Sequence, residues 1–183
     1  LDHTPEIKDL VQSDPSGDAA KSDEVLAFRD VSFRFADAEE DTLSHLNFVC
    51  RRGETTAIIG GTGSGKSTVA SLILRFHDVT KGSICLNGTD IRGITQRYLR
   101  DHLAYVQQKA WLFSGTIAEN LRYSNKNATN EELMHAADVA QAGDFIRSLK
   151  HGLDSYVAQG GTNFSGGQKQ RLSIARALVK KPE

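Results

Sequence analysis

The segment Thr55-Thr56-Ala57-Ile58-Ile59-Gly60-Gly61-Thr62-Gly63-Ser64-Gly65-Lys66-Ser67-Thr68 decides the fold. Its first five residues are apolar and β-branched, the composition of a buried parallel strand. After the glycines, Lys66–Phe76 places Val69, Leu72, Ile73 and Phe76 on one helical face. Between strand and helix, Gly60, Gly61, Gly63 and Gly65 let the backbone curl with its N–H groups inward and no β-carbon in the way. The helix that follows adds the positive end of its dipole. Such a loop suits a phosphate group, which carries multiple negative charges and needs many donors at short range. Lys66 can reach the terminal phosphates of a nucleotide, and the Ser67 hydroxyl can ligate Mg²⁺. The pattern Gly-x-x-x-x-Gly-Lys-Ser, with strand before and helix after, is the phosphate-loop context. An accidental glycine-rich turn would lack those flanks.

On the N-terminal side, residues 1–24 hold two of the three prolines and many Asp, Ser and Lys, the composition of a linker. Order is expected from Val25, where Val31, Phe33 and Phe35 alternate with Ser32 and Arg34 at strand spacing. Asp37–Asp41 reads as a turn, and Leu46–Val49 as a second extended segment, so an antiparallel β layer precedes the loop. On the C-terminal side, Lys81-Gly82 and Asn87-Gly88 bracket a short strand, Ser83–Leu86, and Leu103–Val106 reads as another. Helical spacing covers about Thr116 to Lys150, with Asn130 as N-cap and Glu131 and Glu132 in the first turn. A last helix spans about Gly166 to Val179, with Leu172, Ala175, Leu178 and Val179 on one face and Pro182 beyond it.

The bulk composition excludes several classes. Net charge is -1 over 183 residues, so nothing electrostatic argues for nucleic acid or an anionic membrane. No apolar run approaches the ~18 residues of a membrane span, and the acidic, polar start is not a signal peptide. Cys50 and Cys85 form no close ligand pair and read as small buried hydrophobes in a reducing compartment. The 183 residues read as a soluble chain.

A second constellation is Asn163-Phe164-Ser165-Gly166-Gly167-Gln168-Lys169-Gln170-Arg171, a Ser-Gly-Gly turn heading an amphipathic helix. Read alone, Ser165 is a plain N-cap. With a phosphate loop about a hundred residues upstream, the free N–H groups and hydroxyl read as a second anion site.

Here the sequence resembles the ATP-binding-cassette (ABC) family. Gly60–Thr68 looks like its Walker A loop, and Ser165-Gly166-Gly167-Gln168 like its signature motif. Tyr105-Val106-Gln107-Gln108 followed by Trp111-Leu112-Phe113-Ser114-Gly115-Thr116-Ile117-Ala118-Glu119-Asn120 looks like the Q-loop region of exporters. The implied fold is α/β: a phosphate-loop core with a parallel sheet, an N-terminal antiparallel β layer and a helical subdomain over about 109–150 within a partial cassette at 25–183. The start, Leu1–Ile7, resembles the segment that joins an exporter's last membrane helix to its cassette.

The resemblance also implies roles. Lys66 and Gln108 would be catalytic, Gln108 sensing Mg²⁺ and the attacking water; Ser67 and Gln108 would face the metal. Gly60, Gly61, Thr62, Gly63, Ser64, Gly65, Lys66, Ser67 and Thr68 would hold ATP, and Ser165, Gly166, Gly167 and Gln168 would reach the γ-phosphate of a partner cassette's nucleotide. Phe35 falls where the family stacks an aromatic on adenine; as a residue of its own strand it reads equally well as core. The implied setting is the cytoplasmic face of the cell membrane, as part of a longer transporter whose transmembrane domain lies in the same chain.

Phe164 stands where the signature usually has leucine. Gln159 stands where homodimeric exporters carry glutamate, which favours a heterodimer over a homodimer. Lys181-Pro182-Glu183 precedes the place of the Walker B strand, so the residues present are expected to bind ATP without hydrolysing it. Soluble ABC ATPases of ribosomes or DNA ends usually carry long insertions or basic patches, which are not visible here. A phosphate-loop kinase would lack the Ser165–Gln168 motif.

Overall fold

The computed structural model describes Ile7, Asp9 and residues 23–183, so most of the linker read over 1–24 lies outside the described residues. The chain divides into two compact units, Leu1–Arg100 and Asp101–Glu183.

In the first unit, β1 (Glu24–Phe33) is flanked by β2 (Leu43–Arg51) and β3 (Lys81–Leu86), with β4 (Thr89–Asp90) beyond β3. All pairings are antiparallel, with Phe28 opposite both Phe48 and Ile84. As a central strand, β1 buries residues of both faces, among them Leu26, Ala27, Phe28, Val31 and Phe33. The Leu, Val and Phe side chains among them contribute roughly 1.5–3 kcal/mol each when fully buried. The alternation read from Val31 to Phe35 is broken by irregular register between Phe28 and Phe33, with Asp30 at φ 51°. Ser32 is therefore buried along with its neighbours. Gly82 makes room for the irregularity, since a β-carbon there would lie 2.3 Å from the Asp30 carbonyl oxygen. Asn87 (φ 48°) and Gly88 (φ 81°), read from the sequence as a turn pair, both take the left-handed conformation that a two-residue hairpin needs.

Helix α1 (Lys66–Ile73) buries Val69 and Leu72, but stops earlier than the apolar spacing implies. Arg75 takes φ 52° and turns the chain away, leaving Phe76 exposed. The Arg75 side chain is fully buried instead. It donates to the carbonyls of Ile91 and Ile94 (3.1 Å each) and to Asp78 (3.0 Å), so the buried charge is hydrogen-bonded on several sides.

The second unit begins within α2 (Gln96–His102) and continues through α3 (Ile117–Arg122), α4 (Asn130–Val139), α5 (Gly143–Ser148) and α6 (Gly166–Val179). A two-stranded antiparallel ladder, β5 (Gly115–Thr116) with β6 (Tyr156–Val157), ties the start of α3 to the approach to α6. Leu112, Ile117, Leu121, Leu133, Ile146, Val157, Leu172, Ala175 and Val179 form one core. The buried Asn120 amide accepts from Phe113 N–H and donates to the carbonyls of Phe113 and Thr116, so Glu-Asn in this run is structural chemistry. Glu119 closes a capping box with Thr116. The N-cap of α4 is Thr129, not Asn130; Thr129 has Glu132 at the reciprocal position and Asn130 accepts from Arg122 instead.

Two expected strands do not form. Thr55–Ile59 and Leu103–Val106 belong to no strand or helix, with Ile59 93% and Ile58 48% exposed. Apolar, β-branched composition favours an extended backbone, but a strand also needs a neighbour to take its N–H and C=O groups. Among the described residues neither segment has one, and the ladders that do form are antiparallel.

Candidate phosphate-binding site

The loop from Gly60 to Gly65 folds around the Lys66 ammonium, which donates to the carbonyls of Gly60 (2.8 Å) and Gly61 (2.5 Å) and to Ser64 Oγ (3.2 Å). Gly63 (φ 82°) and Gly65 (φ 84°) take conformations that side chains resist. Gly60 is needed for space, since a β-carbon there would lie 2.4 Å from Ser64 Oγ. Gly61 is different: its φ is ordinary and a β-carbon would meet nothing within 4 Å. The protein itself does not require glycine at 61, which fits a position kept bare for something bound.

Gly65 is the N-cap of α1, and no side chain caps this helix. By contrast α3, α4 and α6 each carry a capping box. An uncapped helix start presents unsatisfied N–H donors and a partial positive charge to whatever lies in front. Lys66, Ser67 and Thr62 are exposed and Thr68 is half-buried.

Phe35 lies beyond the end of β1 and is partly exposed, so it is not a core strand residue. It packs edge-on against Phe33 (4.8 Å) and His77 (5.4 Å), giving a small aromatic surface cluster. Sequence reasoning missed His77, which no local pattern links to Phe35. The same end of the sheet backs the loop: Thr42 N–H donates to the Phe33 carbonyl (2.8 Å), while Leu43 and the Thr42 carbonyl crowd Gly65.

In the second unit, Gln108 is exposed at a bend. Ser165 caps α6: its Oγ accepts from Gln168 N–H (3.2 Å), and Gln168 Oε1 accepts from Ser165 N–H (2.9 Å). The plain-cap reading of Ser165 is thus correct as geometry. The hydroxyl still has its own proton to donate. Gly166 and Gly167 are exposed, with nothing within 4 Å of a β-carbon on Gly166 and only Arg171 Nη1, at 3.8 Å, near one on Gly167. As at Gly61, internal packing gives no reason for glycine. Beside the bend lies a groove of about 380 Å³ whose walls include Tyr105, Gln107, Trp111, Phe113, Tyr123 and Arg176.

The family model described as ABC transporter matches residues 43–183, which takes in the loop, the bend and the α6 motif together. The chain belongs to the ABC transporter family. It is 45% identical over 153 residues to an ATP-dependent lipid A-core flippase of Vibrio cholerae, covering 83% of this chain and 26% of the relative. It is 44% identical over 167 residues to the putative multidrug export ATP-binding/permease protein YgaD of Bacillus subtilis, covering 90% of this chain and 29% of the relative. A solved structure of a bacterial Atm1-family ABC exporter with ATP bound superposes with a TM-score of 0.87 at 38% identity, over 97% of this chain and 30% of that one. The ABC chain described here therefore spans less than a third of the length of these relatives. Among the described residues no helix is long and apolar enough to cross a membrane.

Proposed function

We propose that this chain is the nucleotide-binding part of an exporter-type ABC transporter, binding Mg-ATP and coupling cassette pairing to export across a membrane. The observation that carries the reading is the uncapped start of α1 behind a loop that already holds the Lys66 ammonium. A triphosphate supplies the acceptors that this ammonium now finds in loop carbonyls, and the free N–H groups of the helix start take the rest. Phe35 is the adenine platform on this reading. Ser67 contributes one hydroxyl to Mg²⁺; a hard cation wants about six oxygens, so phosphates and water supply others, and the family resemblance alone adds Gln108 to the metal's ligands.

The bare glycines of α6 support the second half of the proposal. A cassette partner, homologous or identical, brings its triphosphate against Ser165, Gly166 and Gly167, where any side chain would intrude. Gln159, exposed before the motif, favours the heterodimer. Residues 25–183 then form a partial cassette with 109–150 as its helical subdomain, fastened by 1–24 to a transmembrane domain at the cytoplasmic face. Among the described residues, the groups touching the loop include an ammonium, a hydroxyl, a carbonyl and an alkyl chain. None of these is a base at neutral pH, which supports the reading that these residues bind ATP without cleaving it.

The test is equilibrium binding of a fluorescent ATP analogue with Mg²⁺. Unmodified chain binds saturably, and Lys66→Ala weakens binding at least tenfold. Equal affinity for the two chains would refute the reading; phosphate release abolished by Lys66→Ala would refute its non-hydrolytic part.

A further inference from the structure

Phe35 lies past the end of β1, where strand pairing no longer fixes it, and two other rings brace it. Phe33 stands 4.8 Å from it with the planes at 82°, and His77 stands 5.4 Å away at 83°. Phe33 and His77 also meet each other, with centroids 5.5 Å apart, so the three rings close a triangle. Perpendicular ring pairs of this kind favour their own geometry by roughly two- to tenfold. Neither brace lies flat on Phe35, and Phe35 is 37% exposed, so ring surface remains for a flat ligand.

The two braces differ. Phe33 is a buried residue of β1 and belongs to the core. His77 is half-buried and lies on the segment after α1, outside any strand or helix. That segment is fastened on both sides. Before His77, the buried Arg75 guanidinium is bound to the Ile91 and Ile94 carbonyls and reaches over to Asp78 (3.0 Å). After it, Thr80 N–H donates to the Ser32 carbonyl (2.9 Å), and Thr80 Oγ accepts from Arg34 N–H (3.1 Å). The turn that leaves Phe76 in water therefore carries His77 to the sheet end and holds it there. A lone exposed phenyl ring samples several rotamers, and choosing one on binding costs entropy. A ring already held in place avoids that cost.

We propose that His77 is a positioning residue for the nucleobase: its ring fixes Phe35 in the orientation that takes the base, and it acts on affinity only through Phe35. The proposal rests on the reading of Phe35 as the adenine platform and names the residue that sets that platform. The part of His77 that matters is its flat ring, so another aromatic ring serves and an alkyl group does not.

The experiment compares ATP with inorganic triphosphate, each with Mg²⁺, by calorimetric titration. Triphosphate reads the loop alone, and the ratio of the two affinities reads the platform. The unmodified chain binds ATP roughly tenfold more tightly than triphosphate. His77→Ala cuts that advantage roughly threefold and leaves triphosphate affinity as it was, whereas His77→Phe keeps the advantage whole. In a chain that already carries Phe35→Ala, His77→Ala changes nothing further. A further loss in that background would overturn the proposal, because His77 would then act on the base by another route. Failure of His77→Phe to keep the advantage would overturn it too, since the ring nitrogens and not the ring would matter. Loss of triphosphate binding in His77→Ala would show that the residue serves the loop or the fold, and the proposal would fall. Equal affinity of the unmodified chain for ATP and triphosphate would refute Phe35 as the platform, and His77 with it. The Lys66→Ala comparison judges the cassette reading separately.

Discussion

Leu43 closes on Gly65: a β-carbon at residue 65 would lie 2.6 Å from Leu43 Cδ2, at a backbone φ of 84°. The first residue of β2 thus shapes the end of the phosphate loop, and the antiparallel sheet positions the helix start. Gly65→Ala should cost about 1–3 kcal/mol of stability through strain and crowding. Gly61→Ala, at an unstrained and open position, should leave stability within ~0.5 kcal/mol while weakening ATP binding. Urea titration and nucleotide binding on the two variants separate folding from function.

Ser165 serves the fold and, on the proposed reading, a ligand. Ser165→Ala removes the cap and should lower stability by about 1 kcal/mol. Ser165→Asp keeps an N-cap acceptor and should hold the melting temperature, yet its charge repels a facing triphosphate. ATP-driven pairing of full-length cassettes, followed by cross-linking, should fail in both variants. Pairing preserved in Ser165→Asp would leave the residue as a cap alone.

Arg75 has no role at the loop, yet is among the more costly residues to lose. Arg75→Met leaves the Ile91 and Ile94 carbonyls and Asp78 without their donor. About 3 kcal/mol of destabilisation is expected, read as a lower urea midpoint.

Acidification should destabilise through two carboxylates. Glu132 is held below its ordinary range, chiefly by the hydrogen bond from Lys181. Burial pushes Asp90 up, but hydrogen bonds from the Arg92 side chain and backbone outweigh it and the net direction is down. Both folded-state values lie below the unfolded ones, so their stabilisation is complete above the ordinary carboxylate range and is lost as pH falls through the folded values. Melting temperatures should stay level from neutral pH to about pH 5 and then decline. Lys181→Met should flatten part of that decline, the part due to Glu132.

What was legible in the sequence was chemistry concentrated in a few adjacent residues. The glycine loop, the turn at Asn87-Gly88 and the bounds of α6 at Gly166 and Val179 follow from local rules about φ, capping and period. Thr129 and Asn130 show the limit of those rules: both can cap, and the reciprocal Glu132 three residues after Thr129 decides between them. Arg75 was illegible, because its partners are carbonyls of a turn sixteen and nineteen residues away. Phe35 and His77 meet only through the folded sheet end. The strand expected at Thr55–Ile59 failed for a non-local reason as well, since propensity cannot supply a neighbour.

That unpaired run has a consequence for affinity. It is the entry arm of the phosphate loop, no ladder among the described residues holds it, and Ile59 lies almost wholly in water. Fixing each backbone residue costs roughly 1–2 kcal/mol. On the proposed reading, a triphosphate that fills the loop would also have to fix this arm, and its affinity would be lower by that ordering cost. A peptide or domain that completes the ladder would then tighten nucleotide binding from a distance, and ATP would reciprocally favour completion of the ladder.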